Sequence, residues 1–232
     1  MKNGPGKGGS DIPLADRIFR HLLDSIYNGS LQPGSLINEV AIAQEFSVSR
    51  GPVREAVRRL QGIQLVTREP YLRARVATLS AESALELFQM RMVLEGLACR
   101  LAAQRMSDEA IAQLLVELEN DRQAYMQSNG GTAHAPRVFD FHERIVRASG
   151  NNRIIDTLCG DLYHLLRLYR RRSGAVPERK DTAYAEHWQI MRALKARDGD
   201  LAESLMRSHI ERAAAHLFQN LPSGAGQSDR YA

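Results

Sequence analysis

The stretch Ser47-Val-Ser-Arg-Gly-Pro-Val-Arg-Glu-Ala-Val-Arg-Arg-Leu60 decides the reading of this 232-residue chain. Ser49 is a natural N-cap, because its hydroxyl can accept from amides that a helix start leaves unbonded. A helix from there to about Gln61 puts Arg50, Arg54 and Arg58 four residues apart on one face, with Val53, Val57 and Leu60 on the other. Just upstream, a short helix following Asn38 carries Val40, Ala41, Ala43 and Phe46. Ser47-Val48 is too brief for anything but a tight turn, and two short helices on such a turn form a helix-turn-helix. A row of guanidinium groups starting at a helix N-terminus suits phosphates, and arginine can also grip guanine O6 and N7 with two hydrogen bonds.

Working outward, Leu14, Ile18, Leu22 and Ile26 recur at helical spacing, and Asn28-Gly29 closes that helix before the turn Gln32-Pro33-Gly34. Downstream, Leu65 to Arg68 and Ala74 to Val76 alternate like strands around Glu69-Pro70-Tyr71-Leu72, a small β-hairpin wing. From Ser80 onward strand signals vanish. Helices are expected near 81–105, 107–126, 137–149, 152–172, 179–196 and 200–218, separated by Gly, Asn, Asp and Pro turn residues. The expected fold is mainly α: an N-terminal winged helix-turn-helix with a small β-hairpin, and a C-terminal all-α bundle of six or seven helices. The corresponding plan is a disordered tail 1–11, a winged head 12–76, a linker 77–80, a helical domain 81–220 and a disordered tail 221–232.

Charge separates the two halves. Residues 1–79 hold 11 Lys+Arg against 7 Asp+Glu, whereas residues 80–232 hold 20 of each, so the formal excess of +4 lies wholly in the head. Such a density suits a polyanionic partner. Cys99 and Cys159 both fall in apolar helical patterns and read as core residues of a reducing compartment, with no disulfide framework. With no apolar leader and no run of about 18 apolar residues, no membrane role is expected, and a cytoplasmic location is.

On these residues the chain resembles the GntR family of transcriptional regulators, in its FadR-like subfamily. Gly29-Ser-Leu-Gln-Pro-Gly-Ser-Leu36, Glu39, Ser47 to Ala56 and Arg59-Leu60 match the family's head motif nearly position for position. The resemblance implies a homodimer on a palindromic double-stranded DNA operator, acting as a repressor more often than an activator. It makes Ser49, Arg50, Gly51 and Arg54 the recognition-helix contacts, with Arg50 and Arg54 as base readers and Arg58 continuing the ridge. Two positions depart from the pattern, since the family has glycine where Gln64 and Arg73 stand. Arg73 puts a cation at the wing tip, where it could read a narrow minor groove.

The second half resembles the family's helical FCD-type effector-binding domain, through Arg91 with Leu94-Glu95, Phe141-His142, Ser149-Gly-Asn151, Glu186-His187, Gly199-Asp200 and His209. By that resemblance His142, His187 and His209 converge as metal ligands and, with Arg91, line the pocket of a small carboxylate effector. The family's fourth ligand, an aspartate four residues before the first histidine, is Val138 here. Asp140 is no simple substitute if the segment is helical, because two residues turn the face by about 200°. Three neutral imidazoles still suit Zn²⁺ or Ni²⁺ and leave open positions. Other readings stay open: a metal-free polar cavity, an Arg91–Glu95 pair at i+4 in place of an effector clamp, and a metal-dependent enzyme built on the three histidines. For the enzyme, Asp140 and Glu143 are candidate bases without a known position. A nucleoid-type binder with no effector is a further alternative.

Overall fold

The computed structural model describes residues 12–69, 72–78, 80–127, 140–173 and 177–219. The expected tails, the wing tip at Pro70-Tyr71 and Val138 lie outside the described residues. The chain divides into two compact units, residues 1–78 and 79–232.

In the first unit, α1 (Leu14–Asn28) presents Ala15, Ile18, Leu22 and Ile26 to the core. Helix α3 (Arg50–Gly62) answers with Val53, Ala56, Val57 and Leu60, all fully buried. Between them α2 (Glu39–Glu45) is capped by Asn38, whose side chain accepts from the amides of Val40 and Ala41. The turn between α2 and α3 is a Schellman closure: Val48 N–H bonds Ala43 C=O, Ser47 N–H bonds Gln44 C=O, and Ser47 takes a left-handed φ of 52°. Strands β1 (Val66–Thr67) and β2 (Arg75–Val76) pair antiparallel, with Val66 opposite Val76. Leu36 bridges to Arg75 on the outer side.

The same closure ends α3, through Leu65 N–H to Leu60 C=O and Gln64 N–H to Gln61 C=O, with Gln64 at φ 61°. A left-handed backbone is strained for any residue with a Cβ, which is a physical reason for the glycine that the resemblance led one to expect at this position.

The second unit is all helix among the described residues: α4 (Ala81–Arg105), α5 (Asp108–Gln127), α6 (Phe141–Ala148), α7 (Asn152–Ile155), α8 (Tyr163–Ser173), α9 (Pro177–Lys195) and α10 (Gly199–Gln219). Helices α4 and α10 form its spine. Gly96 permits their close approach, because an added Cβ would lie 2.9 Å from Arg207 Cγ. Around them Ala84, Phe88, Ala98, Ala102, Leu118, Ile145, Leu166, Ile190, Met206 and Ile210 fill the core. Cys99 joins this core, where burial, reinforced by Glu95 and Glu203, pushes its thiol well up. Cys159 differs from expectation in being only partly buried.

Two expected helices are shaped differently. The one expected at 152–172 is interrupted by a π-turn at Asp156–Asp161, closed by an i+5 bond from Leu162 N–H to Thr157 C=O. The one expected from residue 137 begins at Phe141, because Asp140 is extended (φ −127°, ψ 102°) and caps it by accepting from Glu143 N–H. Asp140 is therefore excluded from the histidine face by its capping role rather than by helical phase.

Candidate DNA interface and metal centre

On the head, Ser49 occupies the N-cap position of α3 in extended conformation, yet its hydroxyl makes no capping bond. Arg50, Gly51, Arg54 and Arg58 are all exposed along the same helix, and Arg73 is exposed on the wing. A Cβ added at Gly51 would meet nothing nearer than Ser49 Oγ at 3.8 Å, so the fold itself does not demand glycine there. Arg59, one residue beyond the ridge, is instead structural, pairing with Asp16 and lying over the Phe19 ring at 4.3 Å. Arg54 Nε lies 3.6 Å from Glu39 Oε2, and Arg68 pairs with the other oxygen of Glu39.

In the helical unit, α6, α9 and α10 bring His142, His187 and His209 together. His209 Nε2 lies 3.2 Å from His142 Nε2 and 3.3 Å from His187 Nε2. Two of the three rings are fixed from behind: His142 Nδ1 meets Glu95 Oε2 at 2.5 Å, and His209 Nδ1 meets Glu186 Oε2 at 2.6 Å. A buried carboxylate on Nδ1 holds the proton there and leaves Nε2 as a lone pair. His187 stacks on Phe141 at 4.1 Å between ring centroids, and its buried Nδ1 has no hydrogen-bond partner among the described residues.

The carboxylates are themselves anchored. Glu95 accepts from Arg91 Nε at 2.7 Å, a pair in which Arg91 is only 1% exposed. Glu186 lies 2.9 Å from the buried Arg179 Nη1 and also accepts from Arg212. Burial pushes the Glu186 carboxyl up, but its bond to His209 and the charges of His209 and Arg179 outweigh that and hold it at about 2. Burial lowers His209 to about 4 against the pull of Glu186, and burial also holds His187 well below the usual imidazole range, with help from the other two histidines. Neutral imidazoles with lone pairs facing one another are what a metal ion requires.

The donor set fits the ion. Zn–N bonds of about 2.0–2.1 Å in a tetrahedral site put ligand nitrogens about 3.3–3.4 Å apart, close to both separations above. His142, His187 and His209 thus meet as the sequence suggested. Arg91 reaches the same cluster through the i+4 pair with Glu95. Asp140 and Glu143 do not join it, since Asp140 caps α6 and Glu143 pairs with Arg147. Glu95, Glu186, Arg179 and Arg212 were not singled out from sequence as site residues. Glu186 stands beside His187 in the chain yet serves His209 on another helix, a pairing that spacing does not signal.

Residues 14–76 match the gntR family of bacterial regulatory proteins, and residues 86–212 match the FCD domain. The Nta operon transcriptional regulator of Aminobacter aminovorans is 31% identical over 78% of this chain and 83% of its own length. The HTH-type transcriptional repressor GlaR of Escherichia coli (strain K12) is 29% identical over 83% of this chain and 90% of its own. Escherichia coli McbR/YncC superposes with a TM-score of 0.70 at 21% identity, covering 90% of this chain and 98% of that one, a likeness of fold. Among the described residues, no helix is long and apolar enough to cross a membrane. With one family over the winged head and an FCD domain over most of the helical unit, the chain belongs to the gntR family of bacterial regulatory proteins and is a DNA-binding transcription regulator rather than an enzyme.

Proposed function

We propose that this regulator is a homodimeric repressor of the FadR-like subfamily, acting in the cytoplasm on a palindromic operator that it releases or grips according to a small carboxylate bound in the helical unit. The observation that carries the sensing half is the meeting of three imidazole Nε2 atoms, two of them backed by buried carboxylates on Nδ1. His142, His187 and His209 would hold Zn²⁺ or Ni²⁺, and such an ion supplies open positions to which a carboxylate or water can bind. Arg91, oriented by Glu95, contributes the guanidinium on the effector side. On the head, Ser49, Arg50, Gly51 and Arg54 face the operator, Arg58 extends the ridge, and Arg73 meets the adjoining groove.

Dimerisation is supported by α4. Its buried side carries Ala84, Leu87, Phe88 and Ala98, while Leu85, Val93 and Leu97 remain exposed on the same helix. Exposed large apolar side chains grouped on one helix suit a partner surface, and a second copy would cover them. An effector can shift the setting of two paired heads only through different affinities for the two settings.

The test is a thermal-shift panel of small mono-, di- and tricarboxylates, with and without Zn²⁺ or Ni²⁺. A true effector stabilises the fold by mass action and changes operator affinity at the same concentrations. A flat response across the panel, with and without metal, would refute the sensing role.

A further inference from the structure

We infer that Glu39 is a positioning residue for DNA recognition, holding Arg54 of the recognition helix and Arg68 at the root of the wing on one nearly buried carboxylate. Glu39 is the first residue of α2, and only 9% of it is exposed. Its Oε2 faces Arg54 Nε at 3.6 Å, and its Oε1 pairs with Arg68. One side chain therefore links the first helix of the helix-turn-helix, the recognition helix and the residue directly after β1.

The choice of atoms matters. Arg54 is held by its Nε, on the stem side of the guanidinium, while 55% of its side chain stays exposed. An ion pair made through Nε does not use the two Nη groups, the fork with which an arginine can bind guanine O6 and N7. Without it, a long side chain on an exposed helix face samples many rotamers and loses that freedom only on binding.

Electrostatics argues against a merely solvated role. The head carries the chain's whole positive excess, and a carboxylate among its DNA-facing arginines repels phosphate. A residue that weakens general attraction while aiming a base-reading fork trades affinity for every duplex against selectivity for one. A helix N-terminus alone would favour a carboxylate, but it would not require that carboxylate to meet two arginines from two other elements.

The inference rests on Arg54 as a base reader, and the experiment separates the two. Full-length protein selects a duplex from a random-sequence pool. Its affinity for that duplex and for a scrambled one is then measured by fluorescence anisotropy across a salt series. Glu39→Gln should weaken the selected duplex by about tenfold, within the range a bidentate arginine contributes. The scrambled duplex should bind equally or up to about threefold more tightly, with an unchanged or steeper salt slope, because no phosphate contact is lost. In an Arg54→Ala background, Glu39→Gln should alter the selected duplex by less than about twofold, the mark of a shared interaction. Equal losses on both duplexes, or a full loss persisting without Arg54, would overturn the role. If Arg54→Ala alone weakens both duplexes equally, the base-reading assignment fails separately. Should Glu39→Gln not fold, Glu39→Asp keeps the charge at the helix start but draws it back from Arg54, and must lower selectivity in the same way.

Discussion

Glu95→Gln is the sharpest perturbation of the sensing site, because it changes one atom and reverses a hydrogen bond. Glu95 accepts from Arg91 through Oε1 and meets His142 Nδ1 through Oε2. A glutamine can keep its oxygen toward Arg91, but it then offers an N–H to His142. The imidazole must accept at Nδ1 and carry its proton on Nε2, where a ligand lone pair is needed. Loss of a partner that only orients a ligand costs about 10–100-fold in metal affinity. Loss of the ligand itself should reach the upper end, about 100-fold for Zn²⁺. The metal-free fold suffers too, since Arg91 is buried against a carboxylate that is no longer charged. Breaking a buried pair costs roughly 3–5 kcal/mol, and the surviving Arg91 bond points to about 3 kcal/mol. At roughly 2–4 °C per kcal/mol for units of this size, the melting temperature should fall by about 6–12 °C. Calorimetric melting in chelator and a competitive Zn²⁺ titration read the two effects. A variant that melts within about 2 °C of wild type, less than 1 kcal/mol by the same scale, and keeps its zinc affinity would refute the tautomer argument.

Other perturbations reach other parts of the molecule. Arg54→Ala should cost about 1–3 kcal/mol on the selected duplex and relax base preference at one position, read by anisotropy on single-base variants; an equal loss on random DNA would make Arg54 a phosphate contact. His187→Ala should abolish metal retention, measured by elemental analysis, while operator binding of the metal-free protein stays within about twofold, since no contact to DNA is removed; retained metal would contradict the ligand set. Gln64→Gly relieves a left-handed backbone at φ 61°. Strain of roughly 1–2 kcal/mol, less about 0.4–1 for added freedom in the unfolded chain, leaves the head about 0.5–1 kcal/mol more stable in urea melts. A loss of stability there would contradict the strain.

The head was legible because α3 divides its residues so sharply, with Val53, Val57 and Leu60 inward and Arg50, Arg54 and Arg58 outward. The three histidines were legible through a resemblance rather than through periodicity, each on its own helix. Their supports were not. Glu95 stands 47 residues before His142, and Glu186 stands 23 before His209, so only packing reveals which imidazole each serves. Asp140 and Glu143 carried a readable N-terminal signature, a capping residue followed by Glu at the third position, which the apolar run around Phe139 and Phe141 obscured. The π-turn after Ile155 lacks any comparable signal, since its extra residue sits in an otherwise helical pattern. Glu39 matched a family motif, but its reach to Arg54 and Arg68 exists only once the wing is folded.

X-ray absorption at the metal edge of full-length protein purified without chelator tests the central claim of the sensing site most directly. The account predicts one Zn²⁺ or Ni²⁺ per chain with three imidazole nitrogens at about 2.0–2.1 Å, as a zinc–histidine site requires, and its disappearance in His209→Ala. A chain that carries no metal and takes up none on addition of either ion, or one whose metal survives that substitution, would contradict it.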